Sequence, residues 1–441
     1  PVAPQGRPLC RESTTVKYMH RNLAYRQQIL KSFTTKKRYR EWSYVLIMAD
    51  ILTGIRGLDF TRIVAGPLAT RMLADFGAEV IKIQSSRMAV GFESNTDPYF
   101  CEWNRNKRSI TLNMEHPEAR GLLLRLAAVS NVVAENFPPR DMANWGLTYR
   151  HLKKINPEII MLSMSGQGQT GPWRDKVAFG FTVQALGGLT YLTAYEPQDP
   201  MGAGFAYADM VSGLYGAIAV VAAIEDHAST GRGQWIDLSE HEAVCAALGP
   251  ALMEAFSGEP AAAPNGNTDV QLQAAPYGCY RCQGSDRWCV IAVYTDEEWM
   301  AFCRETGEPA LGEDERFASK AGRQKFKASL DVEISRWTKG QRAERVVEGL
   351  QKAGVAAGVV QNAEDLANDP QLLANDFYTP LEHPVLGTMT TDTSPIRFDK
   401  MPRRAWKAAP LLGDANNYVF GELLGLSTPE IDAYKQRGVI A

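Results

Sequence analysis

The chain of 441 residues is long enough for two or three domains with substantial cores, and a content of 45% hydrophobic and 22% charged residues excludes a disordered or fibrous protein. The net charge of −3 hides an asymmetry: residues 1–47 carry ten Lys/Arg against Glu12 and Glu41, a net +8, so the remainder carries −11. Seven cysteines in a chain of this length, without a secretory signal pattern, point to a reducing compartment and free thiols.

The basic head has no Met at position 1 and no apolar stretch of the secretory kind, and Met48 stands just before the first strand. Residues 1–47 read as upstream sequence, a linker or a targeting segment. The cluster Lys36-Lys37-Arg38 with Arg40 reads as a solvated tail rather than a nucleic-acid surface. From residue 55 the pattern is a strand over 55–60, a loop with Ala65-Gly66-Pro67, an amphipathic helix to Phe76 and a strand over 78–83. A second unit follows, with a strand over 108–113, a helix over 118–129 and an apolar strand over 131–135; further strands are expected over 158–163 and 235–238. Apolar runs separated by helical stretches predict βαβ units and a parallel sheet, hence an α/β fold with a Rossmann-like region.

No Gly-x-Gly-x-x-Gly follows the first strand and no Walker loop occurs, which removes the usual dinucleotide and nucleoside-triphosphate signatures. The glycines of Gly166-Gln-Gly-Gln-Thr-Gly171 and of Thr230-Gly-Arg-Gly-Gln234 read as loop and turn chemistry. The uncharged stretch 210–224 predicts an apolar helix too short for a bilayer, which needs about 20 residues. Asp209 precedes it. A lone carboxylate there is either an N-cap, bonding the first free N–H groups, or a nucleophile held away from water. Between 257 and 268 the composition shifts to Pro, Ala, Gly and Asn, and a strand-rich stretch over 277–293 is followed by helices to about residue 365. Cys279 and Cys282 with Cys289 make only half of a zinc site, and the alternation around Cys289 reads as a strand, so no metal is expected. A last helix is expected over 416–424, and the chain has no internal repeat.

Several segments, in this order and spacing, resemble the family III CoA-transferases, a fold that includes the α-methylacyl-CoA racemases and carnitine-related CoA-transferases. They are Leu58-Asp-Phe-Thr61 with Ala65-Gly-Pro67, Leu73-Ala-Asp-Phe-Gly-Ala-Glu-Val-Ile-Lys82, Asn104-Arg-Asn-Lys-Arg-Ser109, Glu135-Asn-Phe137, Ala208-Asp209, Thr230-Gly-Arg-Gly-Gln234 and Pro410-Leu-Leu-Gly413. The resemblance implies a large Rossmann-like domain from both ends of the chain, 48–256 and 385–441, a smaller α+β domain over 268–370, linkers at 257–267 and 371–384, and an interlocked homodimer. It also implies transfer of CoA from an acyl-CoA thioester to a free carboxylic acid without a tightly bound cofactor, with Asp209 as the nucleophile. The carboxylate would pass through an aspartyl anhydride and an aspartyl-CoA thioester, in a site that excludes water.

By the same resemblance Ile63, Leu112, Asn136 and Phe137 lie along the CoA path, and the cations its phosphates need are expected from Arg105, Lys107 and Arg108. The Pro264-Asn-Gly-Asn267 segment is a candidate oxyanion loop, and Trp103, Met142 and Trp145 are candidates for an apolar acceptor pocket. There are departures: Gln84 and Ser85 replace acidic and basic residues frequent in the family, and Val64 stands where formyl-CoA transferase-like members place a glutamine. A racemase would need a His-Asp pair where this chain has Phe179-Gly180, and His227 and His241 read as structural. A non-catalytic subunit of a two-subunit transferase is the other alternative. The expected location is the cytoplasm, or an organelle matrix if the head is a targeting segment, with neither nucleic-acid nor membrane partners.

Overall fold

The computed structural model describes residues 50–195, 199–258, 263–268, 271–400 and 405–440. The basic head 1–47 lies outside them, as does part of the expected linker 257–267. Six parallel strands form the main sheet: β1 (Arg56–Asp59), β2 (Glu79–Gln84), β3 (Arg108–Thr111), β4 (Val132–Glu135), β5 (Ile160–Ser165) and β6 (Trp235–Ser239), in the spatial order β3-β2-β1-β4-β5-β6. The expected strand positions hold to within one or two residues. Side chains alternate between two buried faces. Leu58, Ile81, Ile110 and Val133 point to one core, shared with the helix Ala119–Ala128 and with Val419, Phe420, Ile431 and Val439 from the C-terminal end. Val80, Val132, Ile160 and Leu162 point to the other, beneath helix α1 (Ala65–Asp75). Burial on both faces explains why β4 is apolar up to its last residue, Glu135.

A second core is built from residues 280–355, where antiparallel strands β7 (Tyr277–Arg281), β8 (Trp288–Ala292) and β9 (Ala356–Val359) pack against helices Asp296–Thr306, Lys327–Lys339 and Ala343–Lys352. Cys282 and Cys289 are buried members of this core. Residues 371–384, expected as a linker, instead carry the end of the helix Pro370–Ala374 and strand β10 (Tyr378–His383), which pairs with β11 (Gly387–Asp392). This hairpin is anchored to the main sheet's side of the molecule: Met389 packs on Phe100, Cys101 and Ala409, while Thr391 and Asp392 accept from Arg105. The expected helix at 416–424 winds as a π-helix over Asn417–Leu423.

The remaining helices that frame the site are α2 (Pro98–Asn104), α3 (Gly180–Leu186), α4 (Tyr207–Thr230) and α5 (Glu240–Ala247). Helix α4 is 24 residues long, so it exceeds the expected stretch at both ends and, by length and composition, is long enough to cross a membrane. One face of it, including Gly213, Gly216, Ala217 and Val220, is buried against α1 and β5, while Ala208 at its start packs with Val183 of α3 and Val244 of α5. The opposite face leaves Leu214, Tyr215, Ile218 and Val221 exposed.

Candidate active site

Asp59 closes β1, and its buried carboxylate fixes the chain that follows. It accepts from the Thr61 N–H and Oγ1, from Thr70 Oγ1 on α1, and from Lys107 Nζ 2.9 Å away. Lys82 Nζ stands 3.8 Å from it and donates to the Thr61 carbonyl at 2.7 Å. Burial works to raise the Asp59 carboxyl, but the charges of Lys107 and Lys82 and the Thr61 bond outweigh it and hold the group at about 2.

The next residues are locked in an unusual shape. Ile63 has φ 67°, in the left-handed region that a β-branched residue avoids. Its N–H donates to Glu93 Oε1 at 2.8 Å, and its neighbour Arg62 exchanges two bonds with Asn136, N–H to Oδ1 at 2.8 Å and Nδ2 to carbonyl at 2.9 Å. These bonds tie the end of β1 to the end of β4. The strand order places that junction where the sheet's connections change direction, the point at which α/β sheets open a crevice at their carboxyl ends. A cavity of 380 Å³ lies there, lined by Arg62, Lys82, Arg87, Leu112, Phe137 and Trp145 among others. Phe137 and Trp145 meet edge to face with centroids 5.3 Å apart.

Four of the expected CoA contacts therefore come together: Leu112 and Phe137 line the cavity, while Asn136 and Ile63 shape its wall. The three expected cations do not. Arg105 is buried and binds Asp75, Asp392 and Thr391. Lys107 is buried with four oxygen acceptors, Asp59, Pro67, Thr70 and Asn104. Arg108 is exposed, pairs with Glu79 at 3.1 Å and covers the Tyr418 ring. Their clustering in sequence reflects ion pairs that brace β3 rather than a phosphate surface. The cations that line the cavity are Arg62, Lys82 and Arg87, and Arg87 lies three residues beyond Gln84, past the positions where a basic residue was sought. Met142 is a core residue, Trp145 belongs to this cavity, and Trp103 lies under Arg71 on α2. Asn267, in the expected oxyanion loop, donates to the Tyr195 hydroxyl. His227 pairs with Glu158, and His241 stacks on Trp173.

Ile63 and Val64 alone separate the cavity wall at Arg62 from Ala65, the first residue of α1. Asp209 meets α1 at this end. It is not the N-cap of α4, which is Ala206; it sits within the first turn and is only 8% exposed. Burial pushes its carboxyl up, opposed by the nearby backbone N–H groups of Asp209 itself and of Ala65. Oδ2 has no hydrogen-bond partner. Oδ2 faces Gly180 at the start of α3, where an added Cβ would overlap it. The starts of two helices thus converge on a carboxylate with one bare oxygen, and both macrodipoles favour negative charge at that place.

Two buried polar atoms close to Asp209 in the fold, Gln184 Nε2 on α3 and Ser212 Oγ on α4, make no hydrogen bond, like Asp209 Oδ2. Ser165 Oγ, Gln167 Nε2 and Gln169 Nε2, at the end of β5 and in the loop after it, are unpartnered too. Gln184 is one turn beyond Gly180 and accepts the Tyr207 N–H at 2.8 Å through its other amide atom. Unmet donors of this kind at a crevice mark a place for a polar ligand. Two further ionisable groups sense Asp209. Tyr99 is pushed up by burial and by the charges of Asp209 and Glu93. Glu240 is pushed up to about 8 by burial and by Asp209. Neither signal is local in sequence. A buried carboxylate with one oxygen free, next to a cavity with cations and an aromatic wall, is equipped for nucleophilic attack on a ligand carrying phosphates and an activated carbonyl.

The sequence model of CoA-transferase family III matches residues 52–416. The chain belongs to that family. As a family III CoA-transferase it is 30% identical over 405 residues to succinyl-CoA–D-citramalate CoA-transferase of Chloroflexus aurantiacus, across 88% of this chain and 98% of that protein. It is 28% identical to human succinyl-CoA:glutarate CoA-transferase, across 88% of this chain and 90% of that one. Among solved structures, a CaiB/BaiF family protein from Brucella suis superposes with a TM-score of 0.78 at 30% identity, covering 85% of this chain and all of that chain. Transferases of this family act on CoA thioesters.

Proposed function

We propose that this enzyme moves CoA from an acyl-CoA thioester to a free organic acid through covalent intermediates on Asp209. The observation that carries the reading is the buried Asp209 carboxylate where the starts of α1 and α4 meet, with Oδ2 bare and facing Gly180. Oδ2 attacks the thioester carbon and displaces CoA thiolate, giving an aspartyl anhydride. The thiolate then attacks the aspartyl carbonyl carbon and releases the donor acid, leaving an aspartyl-CoA thioester. As that carbon becomes tetrahedral, charge gathers on its carbonyl oxygen, near the N–H groups of Ala65 and Asp209. The acceptor carboxylate reverses the sequence. Binding of the CoA nucleotide in the 380 Å³ cavity supplies the energy to hold the thiolate in place between steps.

Several relatives are named for succinyl-CoA with citramalate, glutarate or malate, which supports succinyl-CoA as donor and a small dicarboxylic acid as acceptor here. The Phe179-Gly180 pair supports transfer over racemisation, since it stands where a racemase would need its His-Asp pair. In our reading the main sheet and the C-terminal residues 415–440 form one Rossmann-like domain and residues 268–370 a second. The exposed apolar face of α4 supports a homodimer interlocked through it. The relatives named as alpha and beta subunits of a malate CoA-transferase support, as a second reading, a heteromeric assembly. Free thiols suit the cytoplasm or an organelle matrix.

The test is intact mass after mixing with a panel of acyl-CoAs, with and without hydroxylamine, beside Asp209→Ala. A CoA-sized adduct that hydroxylamine removes and the variant lacks is the expected result. A folded protein that turns over without any adduct would overturn the covalent route.

A further inference from the structure

Glu240 is the first residue of α5, capped by Ser239, whose Oγ accepts the Glu242 N–H. It is 8% exposed, and among the described residues no hydrogen bond or ion pair engages its carboxyl. Helix α5 packs on α3 and on α4, the two helices that present Gly180 and Asp209. The ionisable groups around Glu240 are few. Helix α3 brings none; α4 brings Tyr207 and Asp209 at its start, Tyr215 further on, and Glu225, Asp226 and His227 at its far end. Strand β6 brings Asp237, which accepts the Gln169 N–H, and the helix Gly249–Ser257 brings Glu254. Its own helix adds His241, bound to Gln167, together with Glu242 and Cys245. The loop packed on His241 through Gly166 and Trp173 brings Arg174, Asp175 and Lys176, all exposed. No lysine or arginine stands on the helices or the strand packed against α5, and the charge that acts on Glu240 is that of Asp209.

We propose that Glu240 is a catalytic proton carrier: it protonates the CoA sulfur as Asp209 is acylated and takes the proton back when the sulfur attacks Asp209. The inference rests on the aspartyl route above. Two buried carboxyl groups without a cation between them share one negative charge, so while Asp209 is ionised Glu240 keeps its proton. When Oδ2 bonds to the thioester carbon, the C–S bond breaks with its electron pair on sulfur, and the charge of Asp209 disappears. Burial and the Asp209 charge both hold the proton on Glu240; the second of these goes with acylation, and the proton passes from the Glu240 carboxyl to sulfur, leaving a neutral thiol and one carboxylate. In the next step Glu240 removes that proton as sulfur bonds to the Asp209 carbonyl carbon and the donor acid leaves as a carboxylate. The site holds one negative charge of its own before and after acylation. Burial that would penalise two charges therefore favours the transfer.

The experiment compares wild type with Glu240→Gln and Glu240→Asp, following adduct formation in single turnovers across pH. Wild type is expected to lose rate on the alkaline side with a midpoint near 8 and to slow in deuterium oxide. Glu240→Gln is expected to slow by about 100-fold, the lower range for a lost general acid, and to lose both the alkaline limb and the isotope effect, while Glu240→Asp recovers part of each. A Glu240→Gln variant with wild-type rate and the same limb would overturn the proposal, and an adduct that still required Asp209 would leave the covalent route standing. If Glu240→Gln does not fold, wild type decides alone: a rate flat between about pH 7 and pH 9, without an isotope effect, also overturns it. Loss of the requirement for Asp209 would remove both readings.

Discussion

Gly213 on α4 stands so close to α1 that a Cβ there would lie 2.9 Å from the carbonyl oxygen of Ala65. Gly216, nearly one turn on, is as tight, with an added Cβ 2.9 Å from Met164 Sδ. The glycines let α4 settle against α1 and β5, and that approach brings Asp209 to the Ala65 N–H. Gly213→Ala must push α4 away from a backbone atom that cannot yield. Overpacking of this kind costs about 1–3 kcal/mol, and the displacement falls on the nucleophile. The expected outcome is a lowered midpoint in urea together with a drop of about tenfold or more in kcat. Unchanged turnover in a destabilised variant would separate the packing from the chemistry.

The carboxyl of Asp209 is raised above the usual aspartate value of 3.8 by burial, which exceeds the lowering by the nearby backbone N–H groups of Asp209 and Ala65. Only the ionised form attacks. Activity should therefore fall as pH drops through a value above that of an exposed aspartate, giving kcat/KM an acid limb displaced upwards. The pH profile of kcat/KM for a single acyl-CoA checks this, and a limb at or below 3.8 would contradict the buried setting.

How much of this was legible in the chain depends on range. The strands and α1 could be read because both faces of the sheet are buried, so each strand is a short apolar run bounded by polar residues, as in 131–135. Asp209 stood out because an uncharged helix follows it, although the pattern placed it before the helix rather than inside the first turn. The Arg105-Asn-Lys-Arg108 cluster misled, because sequence shows charge without showing that Asp75, Asp392 and Asp59 arrive from distant segments to neutralise it. Glu240 and Gly180 carried no local signal. They matter through α3 and α5 packing onto α4, which no periodicity reveals.

The contrast between Arg87 and Arg105 separates a binding residue from a bracing one. Arg87 is exposed, lines the cavity and, among the described residues, pairs with the equally exposed Glu115. Arg87→Ala should raise KM for acyl-CoA about tenfold through loss of a charge-assisted phosphate contact, with kcat and thermal stability unchanged. Arg105→Ala should instead lower stability by about 3 kcal/mol, since it strands the Asp75 and Asp392 carboxylates. Steady-state kinetics beside urea unfolding distinguishes them. If Arg105→Ala raised KM without loss of stability, the bracing role would be wrong.

Asp59 links acid stability to the site. Its carboxyl falls from 3.8 to about 2 on folding, so the charged form favours the folded state. The stabilisation is in place above the unfolded value and is lost as pH falls through the folded one, a window from about 4 down to 2. Asp59→Asn leaves Lys107 and Lys82 buried without their carboxylate and frees the Thr61 end of the loop that carries Ile63. Breaking such a pair costs about 3–5 kcal/mol. The variant should unfold at lower urea concentration near neutral pH and show a shallower decline between pH 4 and 2 than wild type. Because Ile63 and Ala65 follow directly from this anchor, its loss should also raise KM for acyl-CoA. A variant whose stability fell while KM and the position of the acid limb of kcat/KM stayed fixed would mean that Asp59 holds the sheet without setting the loop.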